Sequence, residues 1–195
     1  VYLNLDKQAI EKLPSIALTR YYRKAKAEGK SVELVTKVFE QPGGANQTLE
    51  VVDDLQRQKD LKILDVAILV KEEDGSTSFK DVGDLQPGKG RLIVAIAGGL
   101  VGLIGGPVGV VVGALAGLGA GSLAARWMDL GFSDEFLAGL QDHLNPGSSA
   151  LVALVENDSA LPLVEALEGE NGVVFRQTLT DDLVEKLMED GESEG

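Results

Sequence analysis

The sequence predicts an α+β fold: a ferredoxin-like sheet with helices, interrupted by a glycine-zipper helical hairpin and preceded by an N-terminal helical arm. From residue 31 onward, strand-like and helix-like segments follow one another in an order typical of a mixed, mostly antiparallel sheet with helices on one face. Between the third strand and the next helix lies an uncharged, glycine-rich run that predicts the hairpin.

Five parts are predicted along the chain. They are an N-terminal helical arm (1–30), the first half of the α+β domain (31–84), the glycine-rich helical hairpin (85–129), the second half of the α+β domain (130–188) and an acidic tail expected to be disordered (189–195). No internal repeat is evident.

The first half of the domain predicts strand, helix, strand and strand in that order. "SVELVTKVF" is rich in valine and strand-like, "QPGGAN" is a loop, and "QTLEVVDDLQRQKD" places Leu49, Val52 and Leu55 on one helical face. "LKILDVAILVKEEDG" is a strand that ends in a turn at Asp74 and Gly75, and "STSFKDV" is its hairpin partner.

The second half predicts helix, strand, helix, strand and helix. In "FSDEFLAGLQDHL", Ser133 suits an N-cap, and the residues expected to face a core are Phe136, Leu137, Leu140 and Leu144. "ALVALVE" is a buried strand, "SALPLVEALEGENG" a short helix with Pro162 in its first turn, and "VVFRQTL" a strand. "TDDLVEKLMED" is a last helix capped by Thr180.

Several of these blocks resemble one family. "LDVAILVKEEDG", "DVGDLQPGKG", "GGLVGLIGGPVGVVVGALAG", "LAARWMDLGFSDEFLAGL", "PGSSALVALVE" and "FRQTLTDDLVEKL" are similar, in this order, to the bacterial and archaeal proteins grouped as domain of unknown function 1269 (DUF1269). The resemblance covers residues 60–187. It implies this organisation and a glycine-rich segment for which members are often labelled membrane proteins, and it implies no reaction and no catalytic residue.

The glycine-rich run predicts self-association. Residues four apart share one face of a helix, and glycine on that face lets a second helix approach closely. Pro107 breaks the run into two predicted helices, 90–104 and 108–128. The glycines on the two rows are Gly98, Gly102 and Gly106, and Gly105, Gly109, Gly113, Gly117 and Gly121.

The same run leaves two environments open, membrane lipid or a protein oligomer. The uncharged stretch from Leu92 to Ala125 is 34 residues long, and as one helix it would span ~51 Å, well beyond a hydrocarbon core of ~30 Å. As a hairpin, each arm is slightly short for a bilayer. A single crossing would also separate the two halves of one sheet, so the run is expected to enter and return.

Composition limits the partners. The net charge of −13 argues against nucleic acid, whose phosphates would be repelled, and the absence of cysteine excludes disulfides and thiolate chemistry. A basic, aromatic stretch at the end of the arm is either a solvated helix or a contact with a partner or an anionic membrane surface. Its residues are Arg20, Tyr21, Tyr22, Arg23, Lys24 and Lys26. No secretory signal is recognised, and we expect a cytoplasmic protein or one associated with the cytoplasmic membrane.

No catalytic, cofactor or metal site is predicted. His143 is the only histidine, and we expect it to be a surface residue. One histidine without cysteines makes no typical zinc site. The acidic pairs read as turns, helix surfaces or helix starts. The glycine loops lack the spacing of a phosphate-binding loop.

The expected function is therefore a non-enzymatic, self-associating structural protein, with the membrane as an alternative contact. The rival is a small α+β ligand-binding domain or enzyme, which would bring several titratable residues together in a pocket, and the sequence indicates no such convergence.

Overall fold

The computed structural model describes residues 31–59, 61–82, 96–97, 100, 128, 131–168 and 171–183. Within them the predicted α+β class is confirmed. The elements are β1 (Val32–Phe39), α1 (Gly44–Lys59), β2 (Ile63–Lys71), β3 (Thr77–Asp81), α2 (Asp134–His143), β4 (Ser148–Glu156), α3 (Asn157–Glu168) and β5 (Val173–Leu179). The predicted arm, the acidic tail and most of the predicted hairpin lie outside the described residues.

The strands form one five-stranded sheet in the order β3-β2-β4-β1-β5. Every described pair of neighbours is antiparallel, so the expectation of a mixed sheet is wrong. β4 lies at the centre, between β1 and β2. Because β2 precedes the glycine-rich run and β4 follows it, the chain on the two sides of that run is hydrogen-bonded together in one sheet.

Helices cover both faces of the sheet, not one face as the sequence suggested. One face, here called the α1/α3 face, packs Val35, Val66 and Ala153 against Val52 of α1 and Leu163 of α3. The opposite face, here called the α2 face, is covered by apolar residues of α2, by residues 96, 97 and 100 of the glycine-rich run, and by Leu183. The physical reason is visible in β4, which is apolar from Ala150 to Val155 without interruption and buried along its whole length. A strand of that kind needs a cover on each side.

The beginning of the glycine-rich run is part of the α2 face. Ile96, Ala97 and Leu100 are helical, fully buried, and belong to the same cluster as Phe136 and Leu140 of α2. These three residues therefore contribute to the core of the sheet domain. Within the residues that the structure describes, no helix is both long and apolar enough to cross a membrane.

The predicted helix caps are confirmed. The Phe136 amide donates to Ser133 Oγ at 3.2 Å, with Asp134 and Glu135 in the first turn of α2. The Leu183 amide donates to Thr180 Oγ1 at 3.3 Å, and residues 181–183 are helical.

Two predicted helix starts lie too late in the chain. α1 begins at Gly44, inside the predicted loop, because the amides of Gly44 and Ala45 find acceptors in Gln41 O and Ser149 Oγ. α3 begins at Asn157, directly after β4, so Pro162 lies in the second turn rather than the first.

The β2–β3 turn forms where Asp74 and Gly75 predict it. Gly75 has a φ of 82°, a left-handed conformation that glycine adopts readily. The Ser76 hydroxyl and amide both donate to Asp74 Oδ1, at 2.6 and 2.8 Å. These two contacts, and the one with the hydroxyl more than the one with the amide, lower the pKa of the Asp74 carboxyl below its ordinary value.

Candidate functional site

A polar cleft of about 570 Å³ opens at one end of the sheet. Four segments line it. They are the end of β1 with the loop that follows it (38–41), the first turns of α1 (44, 47 and 48), the end of α2 (142, 143 and 145) and the start of β5 (171–173). Clefts of this volume are typical of small-molecule sites, which combine an apolar floor with a few convergent polar groups.

The wall formed by the β1–α1 loop is fixed by a serine of β4. Ser149 Oγ donates to Gln41 O at 2.6 Å and accepts from the Ala45 amide at 3.1 Å, so one buried hydroxyl ties the loop and the start of α1 to the sheet. Gly44 lies against Phe39, and a Cβ added at this glycine would be 2.5 Å from Phe39 Cβ. This wall is therefore tied to the sheet, and Gly44 allows the close approach of α1.

The wall formed by α2 carries the only histidine of the chain. His143 Nδ1 is 2.8 Å from Gly139 O, and since a carbonyl oxygen only accepts, Nδ1 is the donor. In the neutral ring, Nε2 then carries the lone pair and is a hydrogen-bond acceptor. The ring also packs edge-on against Phe175, with 5.4 Å between the centroids. His143 is exposed, as predicted, but it has a fixed tautomer and a place in the cleft.

The end of α2 is tied down by two further side chains. Asn145 Nδ2 donates to Asp142 O at 3.2 Å, and Lys71 Nζ donates to Leu144 O at 2.9 Å. Burial lowers the pKa of the Lys71 ammonium below its ordinary value. The carbonyl groups of Asp142 and Leu144, at the end of the helix, thus have donors within the protein.

The start of β5 depends on a glycine. Gly172 has a φ of 123°, and a Cβ added to it would be well inside van der Waals contact with Val38 O. No other residue type fits there without strain. This glycine brings Asn171 and Val173 up to the end of β1, where they close the cleft on its third side.

Three titratable residues are among those that line the cleft, a grouping that the sequence did not indicate. Glu40, Asp142 and His143 line it together, although about a hundred residues separate the first from the other two. No lysine or arginine is among the described residues that line it. Lys37 does not line the cleft. Its side chain is fully buried, and its Nζ donates to Leu167 O and lies 5.1 Å from the centroid of the Phe39 ring.

The described acidic pairs are surface features, and they offer no metal site. Asp53 and Asp54 lie on α1 beside Arg57, at 3.5 and 3.7 Å. In the part of the chain that the structure describes, no three histidine, cysteine, aspartate or glutamate side chains are grouped so that they could hold a metal ion.

The residues predicted for self-association and for partner contact lie outside the described residues, so these predictions stay predictions. The first set is Gly98, Gly102, Gly105, Gly106, Gly109, Gly113, Gly117 and Gly121, and the second is Arg20, Tyr21, Tyr22, Arg23, Lys24 and Lys26.

The model of a family described as protein of unknown function (DUF1269) matches residues 92–190. The match covers about half of the chain and runs from the glycine-rich run through α2, β4, α3 and β5. No curated protein and no solved structure matches the chain. The chain belongs to the DUF1269 family.

Proposed function

We propose that this DUF1269 protein is a non-enzymatic, self-associating structural protein whose glycine-rich segment packs against the same segment of other copies. The observation that carries the proposal is the pairing of β2 with β4. The described residues on both sides of the glycine-rich segment belong to one sheet domain, so any part of the segment that extends from this domain must also return to it. We expect a glycine-rich segment held at both ends by one domain to contact the same segment of a neighbouring copy.

The anchoring of the segment also supports the proposal. Ile96, Ala97 and Leu100 are buried in the α2 face. The glycines four apart that follow Leu100 suit close helix approach, because each would offer only backbone and Cα on that row. Glycine in a helix costs about 1 kcal/mol relative to alanine, so a row of glycines is expected where packing offsets that cost.

Length favours a protein contact over a bilayer. With Leu100 in the core, the uncharged run that remains is 101–125, or 25 residues. It must enter and return, and with the break at Pro107 its two arms are 101–106 and 108–125, or 6 and 18 residues. As helices they would span roughly 9 and 27 Å, against a hydrocarbon core of ~30 Å, so the shorter arm is far too short to cross. A membrane surface is the alternative environment, and the experiment below separates the two.

The proposal includes a finer description of the scaffold. β1, α1, β2, β4, α3 and β5 follow one another as in a ferredoxin-like domain, with the strand order β2-β4-β1-β5 and both helices on the α1/α3 face. In this description β3 is an added edge strand, and α2 with the start of the glycine-rich run is a second layer.

Light scattering of the purified protein, with and without detergent, tests the proposal. We expect an oligomer in the absence of detergent that Gly113→Leu dissociates, because a leucine would fill the space between two helices. Val111→Leu is the matched control, since residue 111 lies on the opposite side of a helix from Gly109 and Gly113 and should leave the oligomer intact. Circular dichroism shows whether the sheet survives in both variants.

Three results would contradict self-association through the glycines. They are a monomeric wild type in the absence of detergent, an unchanged oligomer in Gly113→Leu, and equal dissociation by both variants. A protein that requires detergent to stay in solution and becomes monomeric in it would point to the membrane instead.

A further inference from the structure

We propose that the polar cleft binds a small organic cation, an aliphatic amine, with Glu40 and Asp142 as its counter-charges. This inference does not depend on self-association. It rests on the shape of the cleft, on the charges that line it, and on hydrogen-bonding groups that are already occupied.

The cleft is preformed. Its three walls are held by the Ser149 hydroxyl, by the contacts at the end of α2, and by Gly44 and Gly172, at which any larger residue would clash with β1. A site that is rigid before binding loses little entropy when the ligand enters. Val38, Phe39 and Val173 add apolar surface against which a methylene chain can lie.

The charges select the sign of the ligand. Two acidic residues and no lysine or arginine are among the described residues that line the cleft, and the chain as a whole carries a net charge of −13. An anion would be repelled by this field and a cation attracted. The buried Lys37 ammonium opposes that attraction, but it already has an acceptor in Leu167 O and does not line the cleft.

The hydrogen bonds point the same way. An anion at the start of α1 would need free amides, and those of Gly44, Ala45 and Gln47 already donate to Gln41 O, Ser149 Oγ and Gly43 O. Acceptors are available instead, because His143 Nε2 carries a lone pair in the neutral ring and both carboxylates accept. An ammonium group has three donors and no acceptor, which matches this set.

Three probes of similar length and different charge test the proposal, namely butane-1,4-diamine, butane-1,4-diol and succinate. Calorimetric titration at neutral pH is expected to show binding of the diamine only. Amide NMR spectra should show shifts at Gly44 and Gly172. The double variant Glu40→Gln/Asp142→Asn should weaken binding by about tenfold or more, since each charge-assisted contact contributes on the order of a factor of ten.

The control is Glu135→Gln/Glu165→Gln, which removes the same charge from two exposed positions outside the cleft. It should bind the diamine as the wild type does. The proposal is wrong if the diamine does not bind, if the diol or succinate binds as well as the diamine, or if both double variants weaken binding equally. The last result would mean that the net charge, and not the cleft, attracts the amine.

Discussion

The two faces of the sheet are covered in different ways. On the α1/α3 face, each helix connects one strand of the sheet to the next strand in the chain, and its apolar stripe is readable in its own sequence. On the α2 face, the cover is assembled from α2, from residues 96, 97 and 100, and from Leu183 near the end of the described chain. The difference teaches that an uncharged run resembling a membrane segment can begin as one layer of a domain core.

The largest effect is expected from shortening one buried side chain at the start of the glycine-rich run. This change tests whether the run belongs to the core of the α2 face. Leu100→Ala should destabilise the protein by about 2–5 kcal/mol, because it leaves a cavity in a fully buried cluster. Leu163→Ala, in the α1/α3 face, should have a cost in the same range. Denaturant unfolding followed by circular dichroism measures both.

Leu161→Ala is the matched control, because Leu161 lies on the same helix as Leu163 and is 55% exposed. Its effect should stay within about 0.5 kcal/mol. If Leu100→Ala lowered the free energy of unfolding as little as Leu161→Ala, the glycine-rich run would not belong to the core. The α2 face would then not be packed as the α1/α3 face is.

Adjacent residues of β5 sharpen the comparison, because they point to opposite faces. Arg176 donates to Glu33 Oε2 at 2.6 and 3.0 Å on the α1/α3 face, and the Glu33 side chain is only 6% exposed. Gln177 Oε1 accepts from the Ser133 amide and hydroxyl at 3.0 and 2.9 Å on the α2 face.

Arg176→Ala should therefore cost about 1–3 kcal/mol, since it leaves a buried carboxylate without its cation, whereas Gln177→Ala removes neutral, exposed contacts and should cost about 0.5–1 kcal/mol. Unfolding midpoints of the two variants measure the difference. Arg57→Ala, which removes two exposed ion pairs and one exposed hydrogen bond to Asp53 O, is the reference and should be close to neutral. Equal effects of Arg176→Ala and Arg57→Ala would show that water replaces the Arg176 contact.

The sequence predicted most of the α1/α3 face and little of the cleft. Periodicity identified α1 through Leu49, Val52 and Leu55, and the capping oxygen of Ser133 identified the start of α2, because these signals are local. The cleft arises from strand register, which brings the ends of β1 and α2 and the start of β5 together, and no local pattern encodes that. One signal was present: a glycine followed by a valine-rich strand, at Gly172, marks a position where backbone segments approach closely.

The last prediction compares the two faces at one equivalent point. On each face a helix approaches the sheet through a glycine packed on a phenylalanine, Gly44 on Phe39 for α1 and Gly139 on Phe175 for α2. Gly44→Ala should cost about 1–2 kcal/mol, since its Cβ would meet the Cβ of Phe39, which cannot move without the strand. Gly139→Ala should come closer to neutral. Its Cβ meets the outer edge of a half-buried ring that can turn away, and alanine inside a helix recovers about 1 kcal/mol of propensity.

Thermal unfolding of the two variants measures the contrast, with Gly43→Ala as the control because nothing lies within 4 Å of its added Cβ. A larger loss for Gly139→Ala than for Gly44→Ala would mean that the α2 face is the more tightly packed of the two.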